Sequence, residues 1–196
     1  KIILNAHQVN KGESFIKKEE NSDTKDDFFY IKENSQESIV NQLISLTTGR
    51  LQKFGNYDFF QNMQILTPTK KGLLGTRELN KILQQNINPE APDKKEKKFG
   101  EITFREGDRV MQIKNNYDIF WDREIEGIYE NSTGVFNGEI GRIAKIDLLE
   151  KQIKIIFDDG KKNISMNSQE GLHPDFVIYN EEDDAYVIIE LKVSSN

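Results

Sequence analysis

The chain has 196 residues, a net charge of −6, 36% apolar and 31% charged side chains, and no cysteine. This suffices for one medium or two small cores with long polar connections, and it excludes a disulfide framework and a cysteine-based metal site. No apolar run approaches the roughly 18 residues that a membrane span needs, so no membrane partner is expected.

The acidity is local. Residues 171–196 hold six acids against one base, whereas residues 1–170 hold 27 acids against 26 bases. Bulk charge therefore argues against a simple nucleic-acid glue, and local geometry must decide. The lack of cysteine and of a signal peptide fits a cytoplasmic protein. Lys1-Ile2-Ile3-Leu4-Asn5 begins inside an apolar pattern without methionine and reads as a start within a longer protein.

Residues 1–10 suit the end of a helix stopped at Gly12. Residues 14–27 are polar and read as a loop. Asp27-Phe28-Phe29-Tyr30-Ile31 has the content of a strand. Ser35 and Ser38, then Ile39, Val40, Leu43, Ile44 and Leu46, give a helix ending near Gly49 or Gly55. Met63–Thr67 is a short apolar strand stopped by Pro68, and a second helix follows Gly72, with Leu73, Leu74, Leu79, Ile82 and Leu83 on its buried side. Strand, helix, strand, helix is α/β grammar.

Pro89, Pro92 and Lys94-Lys95-Glu96-Lys97-Lys98 then read as a linker. Short β segments follow at 99–104, 108–114, 139–147, 152–157 and 161–166, with Asp158-Asp159-Gly160 as a hairpin turn. Their number and spacing suggest a small barrel. The division expected is 1–98 for an α/β part, 99–167 for the barrel and 168–196 for an acidic hairpin tail.

Two regions have the chemistry of a nucleic-acid surface. In Leu66-Thr67-Pro68-Thr69-Lys70-Lys71-Gly72-Leu73-Leu74-Gly75 a strand turns into a helix. Helix-start N–H groups near Gly72, with Lys70 and Lys71, suit a phosphate. An ordinary strand-to-helix turn with solvated lysines has the same pattern. The Walker pattern G-x-x-x-x-G-K-[ST] occurs nowhere in the chain. In the second region, Phe104–Asp118 with Gly134–Gly141, Asn115, Asn116 and Tyr117 stand at a strand end and suit phosphate bonding or base stacking. Asn137-Gly138 is equally a turn signal, and Asn116 equally a turn cap. Trp121 suits either stacking or a partly buried loop anchor. His7 and His173 stand far apart without an H-E-x-x-H pattern, so no zinc site is expected.

Taken in order, Leu4-Asn5-Ala6-His7 to Asn10-Lys11-Gly12, Leu66 to Gly75 with Leu79-Asn80, and Phe104 to Asp118 with Val135 to Gly141 resemble the RecD-like superfamily 1 DNA helicases, relatives of the exodeoxyribonuclease V alpha subunit. The resemblance covers about residues 1–165. It implies part of the second, RecA-like motor domain of a P-loop helicase, bearing an inserted Src-homology-three-like β-barrel. It implies 5′–3′ unwinding driven by ATP and Mg²⁺ held by a first motor domain absent from this chain. It also implies contact with single-stranded DNA through Thr67, Lys70, Lys71, Gly72, Asn115, Asn116, Tyr117, Asn137 and Gly138. The family's late His-Lys-Ser-Gln-Gly segment is not found; Asn167-Ser168-Gln169-Glu170-Gly171 stands in its place, and no arginine matches the family's ATP-sensing position.

The tail, His173-Pro174-Asp175-Phe176-Val177-Ile178-Tyr179 and Ala185–Lys192, resembles the Pro-Asp…Glu-x-Lys signature of restriction-endonuclease-like nucleases. Asp175 and Glu190 would hold Mg²⁺, and Lys192 would orient the attacking water. A solvated acidic hairpin has the same pattern. The leading expectation is a helicase fragment; the rivals are a Mg²⁺-dependent nuclease working through the tail and a non-catalytic interaction module.

Overall fold

The computed structural model describes residues 2–14, 28–55, 57–149, 152–160, 162–163, 172–174, 177–179 and 188–191. The chain divides into two units, Lys1–Ser38 and Ile39–Asn196.

In the first unit, α1 (Ile2–Asn10) ends as the sequence predicts. Gly12 takes φ 75°, the Gly12 amide donates to the Val9 carbonyl (2.9 Å) and the Glu13 amide to that of Gln8 (2.9 Å). A left-handed residue after the last turn lets the chain fold back onto the helix's open carbonyls. The strand expected at 27–31 is absent from its described residues, 28–31. No described strand forms a ladder with this segment, and Phe29, Tyr30 and Ile31 are exposed. Aromatic content favours a strand only where a neighbour supplies the ladder. The Ser35 hydroxyl accepts from the Ser38 amide (3.1 Å), a side-chain cap at the start of α2 (Gln36–Ser45).

The second unit contains two apolar cores. The first joins Val40 and Leu43 of α2, Phe59, Met63 and Ile65 of β1 (Met63–Thr67), and Leu79 and Leu83 of α4 (Thr76–Ile87). Between α2 and α3 (Leu51–Gly55) the chain makes a π-helical turn, Leu46–Arg50, where the Thr47 and Thr48 hydroxyls bond carbonyls one turn back. The helical stretch thus runs to Gly55, one of the two expected stops. Thr76, Leu79, Asn80, Leu83 and Gln84 of α4 are buried, the i, i+3, i+4, i+7, i+8 stripe of an amphipathic helix.

The helix starts at Thr76 and not at Gly72, because the preceding loop wraps over its first turn. Gly75 accepts this only as glycine: a Cβ there would lie 2.6 Å from backbone atoms of Lys70 and Lys71.

The second core belongs to the β-rich part: β2 (Glu96–Phe99), β3 (Ile102–Arg105), β4 (Arg109–Gln112), β5 (Asn116–Ile125), β6 (Ile128–Val135), β7 (Ile140–Asp147) and β8 (Gln152–Phe157). Phe104, Val110, Ile119, Val135, Ile143, Ile146, Ile153, Ile155 and Phe157 fill it. Two expectations fail here. Glu96–Lys98, read as linker, form with Phe99 a strand pairing antiparallel with β3, and the β segment expected at 99–104 is broken by a turn at Gly100-Glu101. The long hairpin β5–β6, the largest of the fold, went unread, and with it the place of Trp121. That residue lies on β5, half-buried against the barrel core, not in a loop.

The last four strands, β9 (Lys162–Asn163), β10 (Leu172–Pro174), β11 (Val177–Tyr179) and β12 (Ile188–Leu191), are described by their backbone pairing. β9 pairs with β8 across the expected Asp158–Gly160 turn and also with β5; β10 pairs with β4. The larger sheet has the order β10-β4-β7-β8-β9-β5-β6. The expected pairing of the two tail strands with each other does not occur. β11 lies parallel to β1 on one side and β12 antiparallel on the other, so the tail completes the sheet of the first core.

A polar hub ties α4 to the β-rich part. Asp108 is fully buried. Its Oδ2 accepts from Gln84 Nε2 (2.6 Å) and the Arg105 amide (2.7 Å), and its Oδ1 from Asn88 Nδ2 (2.7 Å). Lys94 Nζ donates to Asn88 Oδ1 (2.6 Å), and the Arg105 guanidinium bonds Glu96 and the Asn88 carbonyl. Burial pushes the Asp108 carboxyl up to about 6, against the opposing effect of these donors. Two further ties join barrel and helical part: buried Arg109 donates to the Met63 carbonyl (2.6 Å), and the Arg142 guanidinium lies 4.4 Å from the Phe60 ring centre.

Candidate nucleic-acid interface

The residues predicted to face a single strand fall into two groups. The first is the β1–α4 loop. Thr67 is buried, and its hydroxyl donates to the Leu74 carbonyl (2.7 Å); it closes the loop from inside and presents no hydroxyl to solvent. The Thr69 hydroxyl both accepts from the Lys71 amide (3.3 Å) and donates to the Lys71 carbonyl (3.1 Å). The Thr69 carbonyl takes the Thr76 amide (3.1 Å), and the Gly72 carbonyl takes that of Gly75 (3.0 Å). The loop's own carbonyls thus engage the first amides of α4, where a bound phosphate would otherwise sit. Lys70, Lys71 and Gly72 are exposed on the outside of this turn, Gly72 with φ 81°.

The second group stands at one end of the barrel, where the β4–β5 and β6–β7 connections meet. Asn115 links them. Its Oδ1 accepts from the Asn137 amide (2.9 Å), and its Nδ2 donates to the Tyr117 hydroxyl (3.1 Å). Asn116 Oδ1 accepts from the Asp118 amide (3.2 Å), an Asx turn that starts β5. Gly138, with φ 91°, donates its amide to the Gln112 carbonyl (2.7 Å), so the β6–β7 turn is fastened back to β4. The turn-capping reading of the asparagines holds. They cap turns, and by capping them they fix Tyr117 and Asn137 on one surface.

Sequence reasoning missed Phe136. Its ring meets that of Tyr117 edge to face, with centroids 5.8 Å apart and planes at 73°. Tyr117 is 65% exposed and Phe136 42% exposed. Two exposed rings flanked by neutral amide side chains are an arrangement of the kind on which bases can stack, with hydrogen-bonding groups beside them.

The metal-binding reading of the tail falls on residues whose side chains lie outside the described structure. Glu190 lies on β12, its backbone opposite Gln64 of β1, and Asp175 and Lys192 lie outside the described residues. No described helix is long and apolar enough to cross a membrane.

Residues 79–157 match the family described as the ATP-dependent RecD-like DNA helicase SH3 domain. The match begins inside α4 and runs to the end of β8. It therefore takes in Gln84 and Asn88 together with the Asp108 that they hold, as well as Tyr117 and Phe136. The match supports the RecD-like family for this chain and a small, SH3-like β-rich domain within it.

Proposed function

We propose that this chain is part of an ATP-dependent 5′–3′ DNA helicase, and that its barrel guides single-stranded DNA across Tyr117 and Phe136. The observation that carries the proposal is the placing of Asn115, Tyr117, Phe136 and Asn137 on one exposed surface of a barrel matching the RecD-like SH3 domain. Bases would stack on the two rings, and Asn115, Asn116 and Asn137 would meet the sugar-phosphate backbone without reading sequence. Lys70 and Lys71 would add phosphate contacts from the β1–α4 loop.

In this reading the α/β part, with β1, α2 and α4 around the first core, belongs to the second motor domain, and the enzyme works in the cytoplasm. ATP and Mg²⁺ would be held outside this chain, since its sequence has no phosphate loop to hold them. The chain alone should not hydrolyse ATP.

Fluorescence anisotropy of a labelled oligothymidine at low salt tests the proposal. Tyr117→Ala and Phe136→Ala should each weaken binding by about 1–3 kcal/mol, the worth of one stacked base. Oligodeoxycytidine should behave like oligothymidine. Equal affinities for the wild type and both variants would remove the platform.

A further inference from the structure

The hairpin whose base carries the stacking rings has an outer half of different character. β6 is an edge strand: among the described residues its one neighbour is β5. β9 reaches β5 only at Trp121 and Asp122. From Arg123 to Glu130 the described structure is thus a two-stranded ribbon, and two strands without a third are marginal in water.

Natural edges are blunted by proline, lysine, bulges or shortness. Between Ile128 and Thr133 β6 has no proline or lysine, and its register with β5 is unbroken from Phe120↔Thr133 to Ile125↔Ile128; the irregularity lies at the base, between Asn116 and Phe120. The apolar side chains of the ribbon face water: Ile125, Ile128 and Tyr129 are all exposed, the last two at 64% each.

The ribbon is also acidic. Asp122, Glu124, Glu126 and Glu130 stand against one base, Arg123, which Glu130 holds at 2.7 Å and which lies 3.8 Å from Asp159. This surface repels phosphate and attracts cations. The tip is about 25 Å from Tyr117 along the strand, at about 3.3 Å per residue. A bound single strand at the base leaves it free.

We propose that the outer edge of β6, Ile128–Thr133, takes up an extended, lysine- or arginine-bearing segment of another protein as an added strand. Backbone pairing to the open edge supplies affinity, contact with Ile128 and Tyr129 covers the apolar side chains, and the surrounding carboxylates select basic side chains.

The test uses the full chain and capped eight-residue peptides alternating valine with lysine or valine with glutamate. Amide hydrogen exchange is followed residue by residue. The Val-Lys peptide should bind and slow exchange across Ile128–Thr133 about tenfold or more, while the β7 and β8 amides stay unchanged. Its affinity should fall several-fold for the double variant Glu124→Gln, Glu126→Gln, whose exposed positions leave the exchange pattern of β7 and β8 intact. A Val-Lys peptide N-methylated at alternate residues, on its pairing edge, should not bind. Equal binding by the N-methylated or the Val-Glu peptide, or binding without protection of β6, would overturn the proposal. So would protection of β6 by oligothymidine in place of the peptide.

Discussion

Asp108→Asn isolates the electrostatics of the hub. In the folded protein this buried carboxyl titrates near 6, against 3.8 for an ordinary aspartate. The folded state therefore holds the proton more tightly than the unfolded chain does. Stability supplied by the protonated form is complete below about pH 4 and is lost as pH rises through about 6. A shift of about 2 units at 1.36 kcal/mol each corresponds to about 3 kcal/mol. Asparagine at this position carries no charge to bury, but its amide meets the donors of Gln84, Asn88 and the Arg105 amide, and one of them loses its acceptor at a cost of about 1–3 kcal/mol. The variant should be less stable than the wild type at pH 4. It should then gain on the wild type by about 3 kcal/mol between pH 4 and pH 7.5. Urea unfolding followed by the fluorescence of Trp121, the one tryptophan of the chain, reads this directly. Background titration of other carboxylates cancels in the difference. Parallel stability profiles for the two proteins across this range would refute the argument that burial dominates the Asp108 environment.

Gly75→Ala should destabilise the first core by about 1–3 kcal/mol, because the added Cβ meets the Lys70–Lys71 backbone at 2.6 Å; thermal unfolding measures it, and an unchanged midpoint would mean that the loop yields freely. Arg109→Ala should cost about 2 kcal/mol in urea unfolding through loss of the charge-assisted bond to the Met63 carbonyl; a loss below about 0.5 kcal/mol would show that this tie between barrel and β1 is dispensable. Lys70→Ala should weaken single-strand binding and lower the slope of log affinity against log salt by a little under one, with no change at Tyr117; an unchanged slope would take Lys70 out of the interface.

What the sequence made legible was local. Met63–Thr67 shows its five-residue apolar run, stopped by Pro68, and the strand lies there. Gly12 and the Asp158–Gly160 turn announce themselves by residue type. Start positions that depend on wrapping were not legible: α4 begins four residues beyond Gly72 because the Thr69 and Gly72 carbonyls close over its first turn. The β5–β6 hairpin hid because one of its faces is charged and the other only partly apolar, so alternation does not show. Its turn is Glu126-Gly127, with φ 51° and 79°, a glutamate in a place that normally calls for asparagine or glycine. The pairing of β1 with β11 and β12 joins residues more than 100 positions apart, which no local pattern encodes. Among the candidate contact residues, Asn115, Tyr117 and Asn137 follow from their residue types. Phe136 and the burial of Thr67 needed the fold, and nothing around Gly107-Asp108 marked a buried carboxylate.

The most direct test of a single-strand path across the barrel is photocrosslinking. Oligothymidine carrying 4-thiothymidine at alternate positions is irradiated with the full chain at low salt, and the modified residues are located by mass spectrometry. Crosslinks should concentrate on Tyr117 and Phe136, with lesser yield at Lys70 and Lys71, and should vanish from the barrel in the Tyr117→Ala, Phe136→Ala double variant. Crosslinks confined to Lys94–Lys98 or to the β5–β6 tip, or unaffected by the double variant, would contradict the account.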